Sequence, residues 1–211
     1  MGQYKQSDEI TQALKTLQEN DSILKKYISK DSVELNLMPS KKENNLAFPK
    51  LTEVIIGQQL SGSAANKIHS RFLGNFDLKY NFQAENLKTL TQKQIRNCGI
   101  SNSKAGFILA LRDKIISEED FFDKIENYSD AELELELTNL KGVGKWTAKI
   151  LMMIHYGRID VFPENDGTLI KAISLMNYSE KNIISISERW KPYRSVASRI
   201  IWHSYDSGLI K

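Results

Sequence analysis

"LKGVGKWTAKILMMIHYGRIDVFPENDGTLIKAI", Leu140 to Ile173, is the stretch that decides the fold. Two glycines, Gly142 and Gly144, stand two residues apart, with apolar Leu140 and Val143 interleaved. Glycine tolerates positive φ and lets another backbone approach closely. From Trp146 onward apolar residues recur at helical spacing, so a helix opens where the glycines end. The first turn of a helix presents N–H groups without intrahelical partners and the positive end of its dipole. With Lys145 beside it, that is a seat for one phosphate. It is not a nucleotide-binding P-loop, which needs four residues between its glycines and a Lys-Ser/Thr pair. The plainer alternative is a tight turn between packed helices.

Around this stretch the pattern is helical nearly throughout. Ile10, Leu14 and Leu17 recur at helix spacing, and after the Asn20-Asp21 break Ile23, Leu24, Tyr27 and Ile28 do so again. "SKDSVELNLMPSKKENN" is polar, carries Pro39 and reads as a loop. Further helices are predicted over Leu51–Gln59, Ser63–Phe72, Thr91–Asn97, Lys104–Lys114, Lys145–Tyr156, Gly167–Met176 and Tyr193–Asp206. Gly99 is placed to end one helix and Ser103 to cap the next. "SDAE" at Ser129–Glu132 is a capping box, and Pro192 heads the last helix. The chain is predicted to be all-α.

The chain has 211 residues, 41% of them hydrophobic, enough for a core in one or two packed lobes. A run of about 18 apolar residues, which a membrane span needs, is absent. The start, "MGQYKQSDEI", is polar and lacks a signal-peptide core. One cysteine, Cys98, excludes an internal disulfide and an all-cysteine metal cluster. Lys141–Lys211 holds 11 Lys and Arg against 6 Asp and Glu, whereas the first 140 residues hold 18 against 20. A basic C-terminal third suits a polyanionic partner, and equally an ordinary solvated face. His69, His155 and His203 stand far apart, with no ligand at metal spacing, and are expected to be structural.

Four segments carry a resemblance. "LKGVGKWTA" resembles a helix-hairpin-helix motif. "DVFPENDGTLIKAI" resembles the Gly/Pro-rich loop and aspartate of the helix-hairpin-helix–GPD superfamily of DNA base-excision glycosylases. "IIGQQLSGSAANKI" and "SERWKPYRSVASRIIW" are similar to segments of its 3-methyladenine DNA glycosylase II branch. The resemblance runs from Ile55 to Trp202. It implies a two-lobed, all-α glycosylase fold with the active site in a cleft between lobes. One lobe is expected over about 50–140, the second from the N-terminal helices plus about 141–211, with no separate N-terminal β domain.

The resemblance makes Asp166 the catalytic aspartate, although Asp before Gly-Thr-Leu-Ile is equally a good N-cap. Asp160, between Ile159 and Val161, looks structural, and Glu164 looks like surface. By resemblance Trp146 and Trp202 line the base pocket, with Ile150 where the best-known bacterial relative has tyrosine. The residues themselves point the same way for Trp202. At 100° per residue it falls opposite the stripe of Val196, Ala197, Ile200 and Ile201, beside Ser195, Ser198 and Arg199. Lyase members carry lysine where this chain has Trp146, so a monofunctional enzyme without β-lyase activity is expected. Lys145 lies one residue earlier and points about 100° away.

The DNA contacts implied by resemblance are Gln58, Gln59, Leu60, Gly142, Gly144, Lys145 and Thr147. Either Gln59 or Leu60 fills the gap left by the flipped nucleotide. Carbonyls of Thr138, Leu140 and Val143 are implied to hold a structural sodium or potassium ion, with no iron–sulfur cluster and no other cofactor. The expected partner is double-stranded DNA, bound by its backbone without sequence readout, to a monomer off the membrane. That places it in the bacterial cytoplasm with the nucleoid, or in a nucleus. The expected reaction is hydrolysis of the N-glycosidic bond of 3-methyladenine- or 7-methylguanine-type bases, leaving an abasic site. Two readings stay open: a glycosylase for uracil, G/T mispairs or hypoxanthine, and a non-catalytic lesion-binding module.

Overall fold

A computed structural model describes residues 2–28 and 46–211. The described residues contain helices and turns but no strand. The chain forms two compact units, Met1–Lys41 with Tyr156–Lys211, and Lys42–His155. The division falls after His155, whereas the expected second lobe began at about 141. The hairpin and the helix after it therefore belong with 42–155, because that helix packs along the first helix of that unit.

In 42–155 the helices are α2 (Ala47–Gly57), α3 (Gly62–Asn75), α4 (Gln92–Arg96), α5 (Asn102–Ser117), α6 (Phe121–Ile125), α7 (Asp130–Thr138) and α8 (Lys145–Ile154). α2 is apolar on nearly every side and packs against α3, α5 and α8. Leu51 and Ile55 on it are wholly buried, each contributing about 2 kcal/mol of transfer free energy. Lys50 Nζ donates to the Ile154 carbonyl at 3.1 Å, a cation at the carboxyl end of α8.

The other unit holds α1 (Gly2–Asn20), α9 (Gly167–Leu175), α10 (Ile183–Ser187) and α11 (Arg194–Asp206). α9 and α1 both pack on α11, whose Val196, Ala197, Ile200 and Ile201 are buried. Phe162 meets Trp190 edge to face at 5.7 Å within this core.

Helix boundaries depart from expectation in three places. The N-cap of α5 is Ser101, not Ser103: its extended backbone lets its hydroxyl accept Lys104 N–H at 3.3 Å. α2 stops at Gly57, and Gln59, expected inside it, takes a φ of 57°. Ile23–Ile28 makes only a 3-10 turn, Leu24–Tyr27, because Asp21 Oδ1 accepts the N–H groups of Ile23 and Leu24 at 2.9 Å. Gly99 does take positive φ, and Ser129 with Glu132 forms the capping box. The Pro39 loop lies outside the described residues.

Asp21 is only 2% exposed, and its Oδ2 accepts both Tyr178 Oη and Trp190 Nε1 at 2.8 Å. Burial, and then the Asp21 carboxylate, keep the Tyr178 phenol protonated far above its usual range. Replacing Asp21 by Ala strands four donors, two of them side chains in the core. The Asp21→Ala chain is expected to lose about 3–5 kcal/mol of stability, seen as a lower urea midpoint at unchanged slope.

Candidate active site and DNA-binding hairpin

Asp166 caps α9: its Oδ1 accepts Leu169 N–H at 2.8 Å. The same oxygen accepts Trp202 Nε1 from α11 at 3.0 Å. The residue is 7% exposed. Carboxylate and indole thus orient each other, and two of the sequence-predicted site residues meet. The loop before Asp166 is pinned as well. Arg194 clasps Asp160 through Nε at 2.8 Å and a second guanidinium nitrogen at 3.0 Å. Ser195 Oγ accepts Val161 N–H at 2.9 Å and donates to the Arg158 carbonyl at 2.7 Å. Asp160 is therefore structural, as its apolar neighbours suggested. Glu164, expected on the surface, is half-buried.

The polar face expected around Trp202 is not a solvated one. Ser195 and Ser198 are buried, and the Ser198 hydroxyl returns to the Arg194 carbonyl at 2.8 Å. Arg199 is half-buried, and burial lowers its pKa. Ser195 and Ser198 can be buried because both hydroxyls donate to backbone carbonyls, while His203 and Asp206 further along α11 stay exposed. Trp202 is itself half-buried against the core.

On α8, Trp146 and Ile150 are half-buried one turn apart, while Ala148, Leu151, Met152 and Met153 are buried. Lys145 is exposed at the first position of the helix. Gly144, the N-cap, supplies no capping side chain, and a Cβ built there meets nothing within 4 Å. Gly142 differs: its φ is 84°, and a Cβ would fall 2.2 Å from the Phe107 ring. One glycine is required by packing, and the other leaves open space before the helix.

Gln58 joins the loop after α2 to this hairpin. Its Nε2 donates to the Gly142 carbonyl at 3.0 Å and to Thr147 Oγ1 at 2.9 Å. Thr147 is 2% exposed, and its hydroxyl is spent on this internal tie. Gln58 spends both amide hydrogens on the same tie. Gln59 and Leu60 remain exposed. Sequence reading missed this link, since nothing local relates residues 84 and 89 positions apart.

At the hairpin, Val143 N–H donates to the Leu140 carbonyl at 3.0 Å, closing the turn. Thr138, Leu140 and Val143 offer neutral carbonyl oxygens, a donor set that suits sodium or potassium better than zinc. Among the described residues no three His, Cys, Asp or Glu stand grouped as metal ligands. His69 and His155 are buried and His203 is exposed. Burial lowers the His69 pKa against the weaker pull of Glu53, and its Nε2 finds no hydrogen-bond partner.

The profile of the HhH-GPD superfamily of base excision DNA repair proteins matches residues 52–193. The chain belongs to that superfamily. The matched span includes the hairpin, Asp166 and the whole loop between α2 and α3. A relative of this HhH-GPD chain, Schizosaccharomyces pombe DNA-3-methyladenine glycosylase 1, is 26% identical over 79% of this chain and 76% of its own. Bacillus halodurans DNA-3-methyladenine glycosidase superposes with a TM-score of 0.71 at 25% identity, covering 93% of this chain and 90% of that one. The S. pombe 3-methyladenine DNA glycosylase solved in complex with abasic DNA shares the fold, with a TM-score of 0.76 at 24% identity over 92% and 97%.

The two hairpin glycines are separable by experiment. Gly142→Ala is expected to cost about 2 kcal/mol or more, from positive φ and the displaced Phe107 ring. Gly144→Ala, at φ −90° in open space, is expected to change stability by less than about 0.5 kcal/mol in the same denaturant titration.

Proposed function

We propose that this chain is a monofunctional DNA glycosylase that releases alkylated purines, of the 3-methyladenine and 7-methylguanine type, from double-stranded DNA. The observation that carries the reading is the Asp166 oxygen held by both Leu169 N–H and Trp202 Nε1. A carboxylate so fixed is pre-organised for the positive charge that grows on deoxyribose as the N-glycosidic bond breaks. It can also orient or deprotonate the attacking water. The methylated base leaves as a neutral purine from a cationic nucleotide, so little acid catalysis is needed, and the product is an abasic site. The aromatic face of Trp202, whose indole already holds that carboxylate, suits a flipped, positively charged base through stacking and cation–π attraction. The names of its relatives support the same substrate class.

The start of α8, with Gly144 open and Lys145 exposed, grips one backbone phosphate of a DNA duplex. Phosphate contacts position the chain and carry no sequence readout, so one monomer can serve any sequence. A sodium or potassium ion on the carbonyls of Thr138, Leu140 and Val143 would add a positive charge beside that phosphate. No other cofactor enters the reaction. Trp146 occupies the place where lyase members resemble one another in having lysine. It has no amine for a Schiff base, which supports hydrolysis without strand cleavage.

Asp166→Asn keeps a capping oxygen for Leu169 and Trp202, so the fold is retained. Single-turnover release of 7-methylguanine is expected to fall at least about 100-fold in that variant. Binding to a duplex with an abasic analogue is expected to persist. Undiminished release overturns the role of Asp166, and release of uracil but no methylated purine overturns the substrate. Separately, borohydride added during turnover on alkylated DNA is expected to trap no covalent adduct, and an adduct means a lyase.

A further inference from the structure

The segment between α2 and α3, "GQQLSG" (Gly57–Gly62), carries an unusual conformation. Gln59 takes a φ of 57°, which costs a residue with a Cβ about 1–2 kcal/mol. Leu60 N–H closes the turn on the Gly57 carbonyl at 3.1 Å, and the Leu60 side chain is exposed. Such a turn keeps one shape only if its surroundings over-determine it.

Two groups distant in sequence do so. Lys104, in the first turn of α5, sends its ammonium to the Ile56 carbonyl at 2.9 Å and to the Gln58 carbonyl at 2.6 Å. The Gln58 side chain is meanwhile held by Gly142 and Thr147 of the hairpin and α8. Gln58 is thus clamped at both ends, its main chain by Lys104 and its side chain by the phosphate-facing hairpin. The ammonium also sits at the carboxyl end of α2, where the dipole favours a cation. Charge-assisted bonds of this kind are roughly twice as strong as neutral ones. Burial pushes the Lys104 pKa down, so the ion has given up hydration to stand there.

We infer that Lys104 is a positioning residue for base excision, bracing the Gln59–Leu60 turn so that it and the glycine hairpin meet DNA as one rigid body. This rests on the glycosylase reading, in which that turn enters the duplex where the damaged nucleotide leaves. A braced turn lowers the ordering cost of insertion. The brace touches neither the base nor the sugar.

The test uses the full chain and a duplex with 2-aminopurine opposite a tetrahydrofuran abasic analogue. Wild-type binding is expected to change 2-aminopurine fluorescence as a side chain enters the gap. Lys104→Met is expected to lose most of that change and to slow single-turnover 7-methylguanine release from a fully paired site about tenfold or more. The defect is expected to shrink where the lesion is mispaired and flips at lower cost. Lys104→Arg, which keeps donors, is expected to recover most of both signals. If Lys104→Met does not fold, Lys104→Gln is measured in its place against the same expectations. Full fluorescence change with wild-type release overturns the inference. So does an equal loss of release at paired and mispaired sites with fluorescence intact, which marks a merely structural lysine. Wild type that releases no base defeats the glycosylase reading instead, while the fluorescence arm still decides the role of Lys104.

Discussion

Two hydrogen bonds converge on one oxygen of Asp166, one from the start of α9 and one from the indole of α11. A carboxylate on a loop ordinarily turns about its own bonds, and a mobile charge stabilises a transition state poorly, because it must reorganise as the charge develops. The cap removes that freedom. Capping by itself explains an aspartate before a helix without any chemistry. Here the cap is what gives the carboxylate a single direction, and Trp202 is the second support that a plain cap lacks. The clasp of Arg194 on Asp160 and the bonds of Ser195 to Arg158 and Val161 extend the support to the preceding loop.

In residues 42–155 the organising constraint is backbone proximity. Phe107 packs so close to Gly142 that no side chain fits between, which settles the hairpin turn. Gln58 then threads an amide between the Gly142 carbonyl and the Thr147 hydroxyl, spending both of its hydrogens. Lysines answer the carboxyl ends of two helices, Lys50 at α8 and Lys104 at α2. Each is a cation where the helix dipole wants one, and each ties a helix end to a neighbour. Precision at the loop tip comes from these ties, because loops on their own hold side chains less exactly than helices do.

Legibility along the chain followed the range of the forces. Ser129 with Glu132, Gly99 and the apolar stripe of α11 were readable because their partners lie within about one helical turn. Ser103 lost to Ser101 because both can cap, and only the observed backbone puts Ser101 in the extended conformation. The supposed polar face of α11 misled for a different reason. Serine hydroxyls can return to nearby carbonyls and so be buried at small cost, and a helical wheel cannot distinguish that from solvation. The tie at Thr147 is equally illegible, its hydroxyl answered by a residue 89 positions away.

The sequence by itself determined that this chain is helical, where a glycine hairpin opens a helix, and which aspartate precedes the next. Those features are short-range: spacing, capping and the steric freedom of glycine act between neighbours and are written in order along the chain. Only the tertiary structure decided that Asp166 shares its oxygen with Trp202, and that Lys104 and Gln58 brace a strained turn. It alone also showed that Asp21 gathers Tyr178 and Trp190. Each of these joins groups tens of residues apart, and a hydrogen bond demands an approach of about 3 Å in a defined direction. Linear order carries no such distance.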